Sequence, residues 1–295
     1  MRTVFIGTSE FAAAVLRTLA ASPHRPRLVL TRPDRPRGRG QRLLPPPVAR
    51  AGSELGIETS QPESVNDQRA RKQIGDASPE IVIVCAFGAL IGPELLAEQR
   101  ILNVHPSLLP RWRGAAPIER ALIAGDELTG VSIMRVGAGL DDGPVCAQLS
   151  DPILPEDTYG TLAARLAELG GGLLVRTLER SPPCQEQDDS LASYAHKIAP
   201  EDRMLDPARP AVELERVVRA LEPHIGSRLE LDGGVVIGVR AARAIPDRTA
   251  EPGTVSLKPP APLLACAEGS LELLVVQPPG RRAMSGADYL RGLRG

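Results

Sequence analysis

Three polar side chains in this sequence have the types and placement to do chemistry together: Asn103, His105 and Asp141. Asn103 and His105 lie two residues apart in Ile101 to His105, an apolar run that reads as a central strand and is ended by Pro106. Alternate side chains of a strand share a face, so the amide and the imidazole point the same way while Leu102 and Val104 point into the packing. In open parallel α/β sheets ligands bind beyond the carboxyl ends of the strands, which puts the pair at the border of a site. Asp141 lies in Gly139-Leu-Asp-Asp-Gly143, after a second strand-like run from Thr129 to Val136. Two strand ends could bring its carboxylate to His105. An amide, an imidazole and a carboxylate suit acyl-type transfer, in which a carbonyl oxygen gains negative charge and an attacking amine loses a proton. One donor to such an oxyanion is worth about 2.7 to 4 kcal/mol, which would be the part of Asn103. A proton handler is worth roughly 10²- to 10⁴-fold, which would be the part of His105. Asp141 would orient the ring and favour its charged form. The competing reading of a lone histidine at a strand end is a hydrogen-bonded structural group. A metal site would need more than the single imidazole present, and no metal is expected.

The elements that must carry these residues follow an α/β order. Arg2 to Ile6 reads as a strand ending in Gly7, Ser9 can cap a helix through Ala21, and Arg27 to Thr31 is a second strand, a βαβ opening with a right-handed crossover. The first turn has one glycine where the dinucleotide fingerprint needs three, so a nicotinamide cofactor is not indicated. Helices are expected at 47–55, 65–74, 93–99, 117–124 and 158–178, and strands at 56–59, 81–85 and 145–149, the last as the hairpin partner of 129–136. Residues 32 to 47, rich in Arg, Pro and Gly, cannot be a helix interior or a central strand, and read as a long exposed basic loop. Eight arginines against one acid, Asp34, stand between Arg25 and Arg50, so the segment is either solvated or meets a phosphate backbone.

Composition shifts at Arg180-Ser-Pro-Pro-Cys184. The expected organisation is a first domain over 1–183, a linker over 184–203 and a second domain over 204–295. The second begins with a helix over 211–221, followed by short strands at 228–231, 235–239, 253–257, 263–267 and 271–277. That spacing suggests a small closed or half-closed antiparallel barrel. At 295 residues with 42% apolar composition and a net charge of −1, the chain can bury a real core, and its global charge selects no partner. The chain has no run of about 18 uncharged apolar residues and opens directly on a strand, so no membrane association and a cytoplasmic location are expected. The four cysteines, Cys85, Cys146, Cys184 and Cys266, are far apart and read as buried free thiols.

Six motifs, in order, resemble the methionyl-tRNA formyltransferase family. They are Gly7-Thr-Ser-Glu-Phe11-Ala, Pro33-Asp-Arg-Pro-Arg-Gly-Arg-Gly40, Asn103-Val-His-Pro-Ser-Leu-Leu-Pro-Arg-Trp-Arg-Gly-Ala-Ala-Pro-Ile118, Gly139-Leu-Asp-Asp-Gly143, Tyr194-Ala-His-Lys197 and Gln277-Pro-Pro-Gly-Arg-Arg-Ala-Met-Ser285. The resemblance implies a Rossmann-like α/β domain with a mostly parallel sheet, followed by an OB-like β-barrel domain. It implies formyl transfer from 10-formyltetrahydrofolate, as donor co-substrate, to the amino group of methionyl-initiator tRNA; separately, a monomer is expected. Carried onto matching positions, Asn103, His105 and Asp141 are catalytic, and Ser107, Leu108, Leu109 and Pro110 line the folate site. Arg39, Lys197, Arg281 and Arg282 face tRNA. The chain departs from the family pattern at Pro200, Asp206-Pro207 and Glu222-Pro-His-Ile-Gly226. A sugar-nucleotide formyltransferase would share the Asn-x-His and Asp signature; Arg113 to Pro117, the basic segment and the barrel-like tail distinguish this chain. A tRNA- or folate-binding protein without catalysis is the reading from another class.

Overall fold

Thr3–Gly7 forms the first strand, β1, every residue of it buried, and Ser9 caps the helix that follows, α1 (Glu10–Ala20), by accepting the Ala12 N–H at 3.2 Å. Phe11, Val15, Leu16 and Leu19 are the buried stripe of α1. Gly7 is required at this turn, because a Cβ there would come within 2.8 Å of the Cys85 carbonyl and 2.9 Å of the Ala12 side chain. The computed structural model describes residues 1–37, 42–247, 250–258 and 260–293. Its two units comprise Met1–Pro117, Leu128–Pro152 and Ala163–Ala195 in one, and Ile118–Glu127, Ile153–Leu162 and His196–Gly295 in the other.

The first unit is organised on a seven-stranded sheet. In chain order come β2 (Pro26–Leu30), a hairpin of β3 (Arg35–Arg37) and β4 (Arg42–Leu44), α2 (Pro47–Glu54), β5 (Glu58–Ser60), α3 (Gln68–Asp76), β6 (Ile81–Cys85), α4 (Pro93–Glu98), β7 (Ile101–His105) and β8 (Arg113–Gly114). Next in the chain is α5 (Pro117–Ala124), which after Pro117 falls with the second unit; β9 (Leu128–Arg135), β10 (Val145–Pro152), α6 (Tyr159–Arg180), whose first turn also falls with the second unit, and β11 (Tyr194–Ala195) complete the first. The sheet order is β10-β9-β7-β6-β1-β2-β5. From β7 to β5 all pairs are parallel; β9 and β10 add an antiparallel edge. Val4, Ile6, Leu28, Leu30, Val82 and Val84 pack with Val65, Ile74 and Leu95 in one apolar cluster. Each such side chain, fully buried, is worth about 1.5 to 3 kcal/mol.

Two expectations are corrected here. The basic segment is not a plain loop: β3 and β4 pair antiparallel, Arg35 with Leu44 and Pro36 with Leu43. A two-stranded ribbon accepts proline because its outer edge needs no donor. Nor are all four cysteines free, since Cys146 and Cys184 form a disulfide while Cys85 and Cys266 remain free and buried. Val145 and Gln185 exchange both backbone hydrogen bonds, at 2.8 and 2.9 Å, which sets Cys146 opposite Cys184 across a separation of 38 residues. Burial pushes the Cys266 thiol up to about 11 and the Cys85 thiol further in the same direction. Protein purified without reductant is therefore expected to show two thiols when denatured and four after reduction. Four thiols before reduction would show the pair unbonded.

The second unit holds α7 (Ala211–Leu221) and an antiparallel sheet. Its strands are β12 (Ser227–Leu231), β13 (Val235–Ile245), β14 (Val255–Ser256), β15 (Leu263–Ala265), β16 (Ser270–Gln277) and β17 (Met284–Ser285), and α8 (Gly286–Gly292) follows. The order β12-β13-β16-β15-β14, with β17 on β16, is the half-barrel alternative of the expectation. Leu214, Val217, Val218 and Leu221 of α7 pack on Leu229, Ile237, Val239, Leu271 and Val276. β13 runs six residues beyond the expected Val239, with register shifts between Val239 and Ala242. Its Arg and Ala residues have little strand preference, so pairing with β16 extends it. In the expected linker, residues 184–195 fall with the first unit and include a 3-10 turn, Asp189–Leu191, and β11, which pairs parallel with β8.

Candidate active site

β7 places Asn103 opposite Val84 on one side and Met134 on the other, and His105 opposite Ser132. Leu102 and Val104 are buried, as alternation requires, while Asn103 is half-buried and His105 is 4% exposed. After the strand the chain turns back through a cis Leu109–Pro110 bond. The turn is pinned from β9 and β10. The Ser132 hydroxyl donates to the Ser107 carbonyl at 2.6 Å and accepts the Leu109 N–H at 3.1 Å, and Gln148 donates to the Leu109 carbonyl at 2.8 Å. The returning chain brings the Trp112 carbonyl to 2.9 Å from His105 Nε2. Trp112 sits at φ +63, a conformation a bulky residue adopts only when its surroundings hold it. Its N–H donates to the Ser193 hydroxyl at 3.0 Å.

Asp141 completes the cluster, by a route different from two strand mouths side by side. β9 runs antiparallel to β7, with Leu102 opposite Arg135, so the loop after β9 begins at the start of β7. The Val136 N–H donates to the Ile101 carbonyl at 3.0 Å, and the loop then carries Asp141 to Asn103. Asp141 Oδ1 accepts from Asn103 Nδ2 at 3.2 Å, Oδ2 accepts the Gly114 N–H at 2.9 Å, and Oδ2 stands 3.7 Å from His105 Nδ1. Gly143 closes this loop, since a Cβ there would lie 2.0 Å from the Arg135 carbonyl.

These contacts assign the protons. A carbonyl only accepts, so His105 Nε2 donates to Trp112, and in the neutral ring Nδ1 is left with the lone pair. Nδ1 is thus the nitrogen able to take a proton, and a carboxylate 3.7 Å away can balance the charge that forms. An amide NH₂ has two hydrogens, so Asn103 Nδ2 keeps one for a further acceptor after serving Asp141. Such an arrangement can stabilise an oxyanion and accept a proton at one place.

The structure brings Asn103, His105 and Asp141 together. Leu109 is buried, Leu108 and Pro110 are half-buried, and the buried Ser107 hydroxyl donates to the Arg111 carbonyl at 2.6 Å. Lys197, Arg281 and Arg282 are exposed in the second unit, and Arg39 lies outside the described residues. Among the described residues no three His, Cys, Asp or Glu side chains gather as a metal site. Sequence reasoning missed the Trp112 carbonyl and the Gly114 amide, which carry no side-chain signature. It also missed Ser132, whose signal was available: a hydroxyl between Val131 and Ile133 in a fully buried run.

The mostly parallel sheet and the cluster of Asn103, His105 and Asp141 lie within residues 1–178, which match the formyl transferase family model. Residues 197–294 match the model of the formyl transferase C-terminal domain. A methionyl-tRNA formyltransferase of Halorhodospira halophila is 44% identical over 301 residues, covering 99% of this chain and 96% of its own. The chain belongs to the methionyl-tRNA formyltransferase family. Among solved structures, HypX from Aquifex aeolicus in complex with tetrahydrofolic acid superposes with a TM-score of 0.65 at 16% identity, over 98% of this chain and 47% of that one. The methionyl-tRNA formyltransferase from Clostridium thermocellum gives 0.61 at 14% identity, over 92% and 99%. These two likenesses are of fold.

Proposed function

We propose that the protein transfers the formyl group of 10-formyltetrahydrofolate to the free amino group of methionyl-initiator tRNA, giving formylmethionyl-tRNA for translation initiation. The observation that carries the reading is the meeting of the Asn103 amide, the His105 imidazole and the Asp141 carboxylate in a chain of this family. When the amine attacks the formyl carbon, the free Asn103 N–H donates to the oxygen that gains charge. His105 Nδ1 takes the proton from the attacking nitrogen and returns it to the departing folate nitrogen, while Asp141 balances the imidazolium between the two transfers.

The turn from Ser107 to Pro110, apolar apart from a hydroxyl used internally, fits a wall for the folate ring system. Exposed Lys197, Arg281 and Arg282, with Arg39, are suited to phosphate contacts. A cytoplasmic location follows from a substrate that exists where translation occurs. That compartment keeps thiols reduced, so the Cys146–Cys184 pair is expected to be open there.

The test supplies labelled 10-formyltetrahydrofolate with either methionyl-initiator tRNA or an amino-sugar nucleotide. Label on the methionyl amine is expected. Label appearing on the sugar alone would sink the proposal.

A further inference from the structure

We infer that Gln187 is a positioning residue for this reaction, holding the Asp141 loop by its main chain so that the carboxylate stays against Asn103 and His105. The inference rests on reading Asp141 as part of the reacting cluster. Asp141 sits at φ +50, and the neighbouring tip, Ala138 to Leu140, is exposed. Aspartate tolerates that region better than most residues, but on an exposed loop it keeps one such conformation only where its surroundings select it.

Gln187 supplies that constraint. Its Nε2 donates to the Asp141 carbonyl at 2.8 Å and to the Gly143 carbonyl at 2.7 Å, so both amide hydrogens are spent on one loop. Its Oε1 accepts from Arg113 Nε at 3.0 Å. A guanidinium only donates and a carbonyl only accepts, so the Gln187 amide fits this site one way round. Arg113 is in turn fixed: it is 3% exposed, and its Nη2 meets Asp189 Oδ1 at 2.7 Å. Two residues before Gln187, the Gln185 backbone is tied to Val145 by a pair of hydrogen bonds.

The result is a closed ring. Gly114 holds the Asp141 carboxylate through its N–H, and the adjacent Arg113 holds the Asp141 main chain through Gln187. Fixing a residue at both ends sets the direction of its side chain. Misplacing a reacting group by about 1 Å can cost up to about 10²-fold in rate.

The experiment compares Gln187→Met and Gln187→Glu with wild type, alone and on an Asp141→Ala background. Gln187→Glu keeps the size and the acceptor for Arg113 but removes both donors. Each single variant is expected to lose roughly 10- to 100-fold in kcat, with KM for both substrates little changed. On the Asp141→Ala background the same changes are expected to cost nothing further, because their effect passes through Asp141. An equal loss on both backgrounds, or a loss confined to KM, overturns the inference. So does a Gln187→Glu enzyme with wild-type kcat, even where Gln187→Met proves unstable. An Asp141→Ala enzyme of full activity would remove Asp141 from the mechanism, a failure of the functional reading that the Gln187 variants alone would not produce.

Discussion

Turnover of the His105→Ala enzyme is expected to fall by at least about 10²-fold, and up to about 10⁴-fold, with folate affinity little changed. The split follows from the geometry. His105 is nearly buried, its Nε2 is committed to the Trp112 carbonyl, and its Nδ1 faces the Asp141 carboxylate. In the proposed mechanism the ring transfers a proton, and an interaction made only as the amine gives up its proton changes kcat rather than binding. The measurement is single-turnover formyl transfer beside folate binding by equilibrium titration. Wild-type turnover would take His105 out of the mechanism. Loss of binding in proportion to rate would show that the substitution had collapsed the cluster, with Trp112 no longer held.

Asn103→Ala is expected to lower kcat by about 10²- to 10³-fold, the value of one oxyanion donor. Its Nδ2 serves Asp141 with one hydrogen and keeps the other, so the substitution removes the donor and also one support of the carboxylate. The Gly114 N–H still holds Oδ2, which limits the drift of Asp141. Asn103→Asp makes the sharper comparison. It is close in size but sets a second carboxylate beside Asp141 in place of a donor, and is expected to be at least as damaging. Rates within about threefold of wild type for either variant would exclude oxyanion stabilisation by residue 103, since one lost donor is worth about 2.7 to 4 kcal/mol.

Much of the first unit was legible because its signals are local. The apolar run Ile81–Cys85 and the helix stripe of α1 are repeats set by neighbours a few residues apart. The helix over Ala211–Leu221 was legible for the same reason. Where pairing rather than propensity decides, the reading stopped short. β13 continues through Arg240 and Ala244 because β16 lies alongside, and Met284–Ser285 is a strand only because it pairs with Val275 and Val276. The Cys146–Cys184 bond was hidden for a related reason. Its spacing of 38 residues says nothing until Val145 and Gln185 meet.

The sequence by itself determined that Asn103 and His105 share a face of one strand, since strand alternation is a property of consecutive residues and needs no partner. It also supplied Asp141 as the candidate carboxylate, and the family motifs named the formyl donor. Only the tertiary structure decided how the three meet. Asp141 arrives by an antiparallel strand whose loop begins at the start of β7, His105 takes its tautomer from the Trp112 carbonyl, and Gln187 grips the loop from 46 residues away. Every residue but proline carries the same carbonyl and N–H, so nothing in a sequence marks which of them will be used; the fold selects them by bringing distant segments within hydrogen-bond reach.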